Sequence, residues 1–328
     1  MNMQAPHTTE LVSIVVAFYN EEKVIGQFFA EMDKATAGLD ATFEYVCVND
    51  GSRDATLSRL KDELGRGRRM RLVNFARNFG KEAAMTAGLE HARGAAVVVI
   101  DADLQDPPAL IRDFLAKWRE GYDVVYGVRT SRATDTVLKR ATAGAFYRIF
   151  NSVTSVPIPA NAGDFRLMDR RVVQALLALP ERNRFMKGLF AWVGFRQVGV
   201  PFVRDARAAG KTSWNYMRLW NFAVDGLTSF SIVPLRLASM AGAIISLLGF
   251  AYAIYLVVRT LVQGSDVPGY ASIVVIMLFL GGVQLLCLGL IGEYLGRLYI
   301  EAKERPLYIV ADVFDGAGDQ DPDQIQKI

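Results

Sequence analysis

Cysteine and histidine are scarce in this chain of 328 residues, with two of each. Cys47 and Cys287 each sit in an apolar run. A disulfide framework and a zinc site are therefore excluded, and two buried, reduced thiols are expected. His7 and His91 lack metal-ligand spacing and are expected to face solvent. The net charge of +3 is too small to point to nucleic acid. No basic leader precedes the first apolar run, residues 11–19, which is short and follows Glu10. It reads as a buried strand rather than a signal peptide, and the N-terminal part is expected to stay in the cytoplasm. The chain has no glycine-rich P-loop, no Gly-x-Gly-x-x-Gly after a strand and no serine nucleophile elbow. A solenoid-like repeat is also lacking.

Charge is missing from two long stretches, residues 237–258 and 267–292. At 1.5 Å per residue the first reaches roughly 33 Å as a helix, enough to cross a hydrocarbon core of about 30 Å. Hydrophobic residues make up 52% of the chain, high for a purely soluble enzyme. The connection around Gly264, Pro268 and Gly269 is short and polar, so the two helices form a hairpin, at about 235–260 and 268–292. Arg204, Arg207, Lys211, Arg218 and Arg236 precede the first span, and Arg297, Lys303 and Arg305 follow the second. The connection offers only Arg259. The positive-inside rule then predicts a multi-pass protein of the inner (plasma) membrane with both termini in the cytoplasm. Residues 212–232 mix Trp214, Tyr216, Trp220 and Phe222 with Asn215, Arg218 and Asp225. This pattern suits an amphipathic helix lying in the interface, or else a core-facing helix. The acidic, glycine-rich stretch 312–328 reads as a disordered tail. The domains expected are thus 1–211, 212–232, 233–300 and a cytoplasmic tail, 301–328.

Residues 1–211 alternate strand and helix patterns. Apolar strands at 12–17, 44–48, 71–75, 96–100 and 124–127 lack polar alternation, as parallel strands buried on both faces do. Helices are expected at 22–37, 54–64, 81–92 and 110–120, with Asp54 capping the second and Pro107 and Pro108 opening the fourth. The fold class is α/β, a doubly wound sheet whose ligands bind beyond the carboxyl ends of its strands.

Three acidic clusters follow strands, and they should converge on one rim. Asp101 and Asp103, with Gln105 two places on, come straight after the apolar strand ending at Ile100. In a strand-like segment the three would point the same way. Two close carboxylates repel unless a cation lies between them, and hard oxygen ligands suit Mg²⁺ or Mn²⁺. The same pair also fits a solvated turn. Asn49, Asp50, Gly51 and Ser52 follow the second strand. Gly51 permits a tight turn, and Asp50 suits either a nucleobase or ribose hydrogen bond or a helix cap. Tyr19, Asn20, Glu21 and Glu22 end the first strand, where the acids also suit a helix start. Further on, Gly163, Asp164, Phe165 and Arg166 place an acid and a base in an apolar setting. Arg207, Lys211, Thr212 and Ser213 surround Gly210, as a loop closing over a diphosphate or as a membrane-attracted patch.

Together these motifs resemble the polyprenyl-phosphate glycosyltransferases of the GT-A, family 2 type, with bactoprenol glucosyltransferases and dolichyl-phosphate mannose synthases as look-alikes. The matching residues are 18–22, 48–52, 74–81, 101–108 and 163–167, extended by 184–188 and 207–213. The family usually has Pro before the first aromatic pair, where this chain has Ala17. The resemblance implies a Rossmann-like GT-A domain with an interface helix and a two-helix transmembrane hairpin. It implies Asp101, Asp103 and Gln105 as holders of Mg²⁺ or Mn²⁺ and of the donor diphosphate. Tyr19, Asn20, Glu22, Asp50, Lys81 and Asp101 would serve the nucleotide, and Arg207 and Lys211 would clamp its diphosphate. Arg129 and Arg140 would receive the acceptor phosphate. Asp164, with Asp103, would act at the reacting centre. The expected partners are a nucleotide-sugar donor, a polyprenyl phosphate acceptor, membrane lipid and further copies of the chain as a homo-oligomer.

The reaction expected is single, inverting transfer of one sugar to polyprenyl phosphate, with glucose from UDP-glucose the first choice. GDP-mannose and a UDP-linked aminoarabinose derivative are alternative donors. A lipid hydroxyl as acceptor, and an inactive membrane scaffold, are the competing readings. A processive polysaccharide synthase would need more spans and a Gln-x-x-Arg-Trp motif, and the chain has neither.

Overall fold

A computed structural model describes residues 10–130, 162–203, 233–263 and 269–316. The expected alternation is present as β1 (Leu11–Phe18), α1 (Ile25–Thr36), β2 (Thr42–Asn49), α2 (Thr56–Gly65), β3 (Met70–Phe75), α3 (Lys81–His91), β4 (Ala96–Val99), α4 (Ile111–Arg119) and β5 (Val124–Arg129). A short 3₁₀ turn, Pro108–Leu110, opens α4, because proline at a first helical position loses no hydrogen bond. Strands β3, β2, β1 and β4 lie side by side and parallel. Ala17 stays within the β1–β2 ladder opposite Val48, keeping an N–H that proline would lack.

The sheet is mixed rather than all-parallel. β6 (Ala162–Asp169) runs antiparallel between β4 and β5, so β5 does not adjoin β4. β7 (Gln197–Phe202) pairs parallel with β5 at one edge. Between β6 and β7 come α5 (Arg170–Leu177) and α6 (Met186–Trp192). At the other edge, β8 (Val310–Asp315) pairs antiparallel with β3 and completes eight strands among the described residues. This corrects the expectation of disorder from residue 312: the stretch through Asp315 is ordered sheet. The stretch holds because Arg71 donates two hydrogen bonds to Asp315, at 2.6 and 2.9 Å, and Asn74 donates to Asp312 at 3.0 Å. Phe314 packs against the core and Tyr308 stacks on Phe75, with ring centroids 4.7 Å apart.

Helices cover both faces. Phe28, Phe29 and Met32 of α1, Leu60 of α2 and Phe114 of α4 share one core with Ile14, Cys47 and Leu72. Met85 and Leu89 of α3, Val172 and Leu176 of α5 and Phe190 of α6 pack on the other side against Val15, Val97 and Val99. Each such fully buried side chain contributes roughly 1.5–3 kcal/mol. α3 lies close to the sheet because Gly88 has no side chain: a Cβ there would stand 2.2 Å from Val15 Cγ1.

After this domain come α7 (Val233–Gln263) and α8 (Tyr270–Ala302), each extending beyond the predicted span. Windows within them, Leu235–Tyr252 and Phe279–Ala302, are long and apolar enough to cross a membrane, and neither is buried by the rest of the chain. The second window reaches past the charge-free run into Glu293, Arg297 and Glu301. The expected interface helix, 212–232, and the connection 264–268 lie outside the described residues. His91 is half-buried rather than solvent-facing, with Nδ1 3.2 Å from the Ala87 carbonyl.

Candidate active site

The carboxyl ends of β1, β2 and β4 lie on one rim, as strand order β4-β1-β2 requires. At that rim two loops are joined by hydrogen bonds from backbone N–H groups to side-chain oxygens. The Asn20 N–H donates to Ser52 Oγ at 3.0 Å, and Asn20 Oδ1 accepts from the Arg53 N–H at 2.9 Å. The Glu22 carboxylate accepts the Ala55 N–H at 3.0 Å, while the Glu22 N–H donates to Asp54 at 3.2 Å. Asn20 adopts φ 55, a left-handed conformation that asparagine tolerates. Tyr19 is left exposed beside this junction.

Asp50 lies beneath the rim, only 3% exposed. One of its oxygens accepts the Phe79 N–H at 2.7 Å. The other accepts the Gly80 N–H at 3.0 Å and the Asn78 amide at 2.8 Å. Burial pushes its pKa up, and the two N–H donors oppose that shift. Its visible work is to hold the loop that starts α3. Gly51 has φ 63, and a Cβ there would meet the Arg77 backbone at 2.2 Å, so this turn requires glycine.

That loop delivers Lys81, the first residue of α3, to the centre of the site. β4 and β6 end their pairing at Val99 and Arg166. Two residues after Val99 stands Asp101, and two before Arg166 stands Asp164, so both acids come to the same end of the strand pair. Lys81 Nζ bridges them, 2.6 Å from an oxygen of each. Burial disfavours the ammonium, but Asp164 and Asp101 outweigh it and hold the pKa above the ordinary lysine value. For Asp164 burial alone would favour the neutral acid. Lys81, Lys187 and Arg166 outweigh that effect and hold the carboxyl well below the usual range.

Three neighbours complete the cluster. Arg166, 4% exposed, donates to the Gly163 carbonyl at 2.8 Å, and its guanidinium lies 3.6 Å from the Phe190 ring centroid. Lys187, from the second residue of α6, adds charge near Asp164. Glu82 has one buried oxygen without a hydrogen-bond partner among the described residues. Burial, then the charge of Asp164, pushes its pKa up to about 8, against the pull of Lys81 and Lys187. Sequence reading assigned no role to Glu82 or Lys187. A lone acid at a helix start carries no local sign that α6 will close over it.

Arg129, at the end of β5, has a terminal nitrogen 3.7 Å from Asp106, and its buried Nε has no hydrogen-bond partner among the described residues. A Cβ on Gly163 would stand 3.4 Å from Arg129 Nη2, so this guanidinium adjoins the segment carrying Asp164. Arg140, Arg207 and Lys211 lie outside the described residues.

One local expectation fails. β4 stops at Val99, and residues 102–104 form a turn with Leu104 at φ 56. Strand alternation therefore does not aim Asp101, Asp103 and Gln105 the same way. Instead Asp103 accepts the Gln105 N–H at 3.2 Å, folding the turn. Among the described residues no group of three or more His, Cys, Asp or Glu could hold a metal alone. A site of Asp101, Asp103 and Gln105 would need further oxygens from a diphosphate and water, the way Mg²⁺ is usually held. The Lys81 ammonium between Asp101 and Asp164 shows that negative charge is already concentrated around one cation here. As hard oxygen donors, Asp101, Asp103 and Gln105 are of the ligand type that Mg²⁺ and Mn²⁺ take. A cavity of about 530 Å³ opens at the other end of the sheet, between Arg68, Arg71, His91 and Asp315. It lies away from this chemistry, and Arg68 and Arg71 are engaged with Asp33, Glu63 and Asp315.

Both parts of the chain resemble known proteins. Residues 13–177 match Glycosyl transferase family 2, and residues 233–298 match the GtrB C-terminal hairpin. An uncharacterised glycosyltransferase of Synechocystis sp. is 55% identical over 94% of this chain and 96% of its own. The bactoprenol glucosyl transferase of Shigella phage SfV is 45% identical over 91% of this chain and 97% of its own. Among solved structures, a mannosyltransferase from Pyrobaculum calidifontis in complex with GDP-Man and Mn²⁺ has a TM-score of 0.45 at 18% identity, covering 79% of this chain and 85% of its own. Both parts of the chain thus have counterparts, the sheet domain and the apolar helices that associate it with a membrane. The chain belongs to glycosyl transferase family 2 and is a glycosyltransferase with a C-terminal hairpin of the GtrB type.

Proposed function

We propose that the enzyme transfers one glucose from UDP-glucose to a polyprenyl phosphate at the cytoplasmic face of the inner membrane, with inversion. The observation that carries this reading is the Asp101–Lys81–Asp164 bridge on a rim whose chain continues into two apolar helices. Relatives named bactoprenol glucosyl transferases support both acceptor and sugar. Both termini face the cytoplasm in this reading, residues 212–232 lie in the interface, and the chain assembles as a homo-oligomer.

The nucleophile is a phosphate oxygen. A phosphomonoester has a second pKa near ~6, so at neutral pH it is already ionised and no strong base is needed. One acceptor oxygen forms a bond to the anomeric carbon. The bond from that carbon to the nucleoside diphosphate breaks, and the diphosphate leaves with the electron pair. Asp164 suits orientation better than proton removal, because its neighbours make it a weak base. Arg129, whose guanidinium adjoins the segment carrying Asp164, receives the acceptor phosphate, with Arg140 as its expected companion. Asp50 acts on the nucleoside end with Tyr19, Asn20 and Glu22, chiefly by fixing the loop before α3. Arg207 and Lys211 supply positive charge to the departing diphosphate. A divalent ion on Asp101, Asp103 and Gln105 would stabilise that same charge when bound.

The test is a donor screen on purified full-length protein with undecaprenyl phosphate, Mg²⁺ or Mn²⁺, and mass detection of product. Lipid-linked hexose from UDP-glucose is the expected result. Product from GDP-mannose or from a UDP-linked aminoarabinose donor would correct the sugar. Transfer only to diacylglycerol would overturn the acceptor, and no turnover of any donor would favour a scaffold.

A further inference from the structure

Where α8 ends, it is fastened to the catalytic domain. One Glu301 oxygen accepts the backbone N–H groups of Arg182 and Asn183, each at 3.0 Å, and the other accepts the Arg182 N–H, also at 3.0 Å. The Arg182 guanidinium donates to the Arg305 carbonyl, closing the contact from the other side. Two backbone donors on one carboxylate are charge-assisted bonds and fix an angle as well as a distance. They join residues far apart in sequence, so they are a tertiary contact and not a helix cap.

The receiving loop is also informative. Arg184 anchors it, donating to the carbonyls of Leu179 at 2.7 Å, Glu181 at 3.2 Å and Leu176 at 3.3 Å. The loop then enters α6, whose second residue is Lys187, a charge acting on Asp164. Beyond Glu301 the chain passes Tyr308, which stacks on Phe75, and enters β8. Val310, the first residue of β8, pairs with Phe75, the last of β3, so the chain returns to the domain on the rim side.

The height of this latch follows from helix geometry. The charge-free run ends at Gly292 and Glu293 follows. Glu301 is two turns and a little more beyond, or roughly 12 Å at 1.5 Å per residue. The polar layer on each side of a hydrocarbon core is about 5–8 Å thick. Measured from the end of the charge-free run, Glu301 thus fastens the loop that leads into α6 a few ångströms beyond the headgroup layer that carries a lipid-borne phosphate.

The geometry points to Glu301 as a positioning residue that holds the catalytic rim at the level of a membrane-embedded phosphate acceptor. This rests on the proposed function, and it adds a prediction that function alone does not make. Losing the latch harms transfer to an acceptor fixed in a bilayer, and spares transfer to a soluble acceptor that can find the site at any tilt.

The experiment uses the full-length enzyme and the variants Glu301→Ala and Glu301→Gln. Transfer is measured with undecaprenyl phosphate in phosphatidylethanolamine–phosphatidylglycerol vesicles, and with citronellyl phosphate in detergent. Amide hydrogen exchange is followed at residues 181–185. For Glu301→Ala, kcat/KM with the embedded acceptor is expected to fall roughly ten-fold, the size of a lost charge-assisted contact. With the short acceptor it should stay within about two-fold, and exchange at Arg182 and Asn183 should rise. Glu301→Gln keeps one acceptor oxygen, so it should lie between and melt like the parent, which separates positioning from misfolding. Equal loss on both acceptors, no loss on either, or unchanged exchange at 182–183 would each overturn the inference. If the parent enzyme turns over neither acceptor, the functional reading has failed, and the exchange data still rule on the latch.

Discussion

Asp101 and Asp164 face each other across the end of an antiparallel strand pair, with the Lys81 nitrogen 2.6 Å from an oxygen of each. The nitrogen serves two carboxylates that would otherwise repel. It also ties the acid proposed to hold a metal to the acid proposed at the reacting centre, so geometry on one side is felt on the other.

Lys81→Met removes the bridging charge while keeping the aliphatic stem. The expected outcome is a fall in kcat of about 10²-fold or more, from misplaced carboxylates and lost electrostatic stabilisation. Lys81→Arg keeps the charge but not the compact shape and should recover part of the rate. Single-turnover transfer with the donor in excess checks both.

Asp164→Asn and Asp103→Ala separate orientation from charge binding. Asp164→Asn is expected to hold turnover within about ten-fold, whereas Asp103→Ala loses it almost entirely. The rate should show no rising limb assignable to Asp164 above pH ~5, since its carboxyl is held below the usual range of about 3.9. A base-dependent limb abolished by Asp164→Asn would contradict the orienting role.

Glu82 gives stability a slope with pH. Its pKa rises from an ordinary 4.5 to about 8 on folding, so the folded protein binds the proton more tightly than the unfolded chain. The sign follows: its contribution is fully present below pH 4.5 and is lost as pH rises through about 8. Glu82→Gln mimics the protonated form and should flatten that decline, read as melting temperature between pH 5 and 9.

Arg71→Met cuts the paired hydrogen bonds to Asp315 and loosens β8. A loss of about 1–3 kcal/mol is expected, with a fall in melting temperature of a few degrees. Removing residues 310–316 should do more: it bares the edge of β3 and promotes self-association, which light scattering would detect.

Much of the fold was legible. β1 to β4 are apolar on both faces, which is the signature of buried parallel strands, and Asp50 and Asp101 are placed by the ends of those strands. β6 was missed because Asp164 and Arg166 interrupt its apolar pattern, and only the tertiary structure pairs those charges with Lys81 and Phe190. β8 was missed for a similar reason. The acids of residues 312–315 read as solvated tail until Arg71 and Asn74, far away in sequence, are seen to receive them.

The sequence by itself determined the four parallel strands β1 to β4, the acids at their ends and the two apolar helices, because these rest on local periodicity and on residues a few positions apart. The tertiary structure decided which charge meets which. It set Lys81 between Asp101 and Asp164, raised the pKa of Glu82, and fastened the end of α8 to the catalytic domain through Glu301. Such pairings join positions tens to hundreds of residues apart. Their energies depend on burial and distance, and neither exists until the chain has folded.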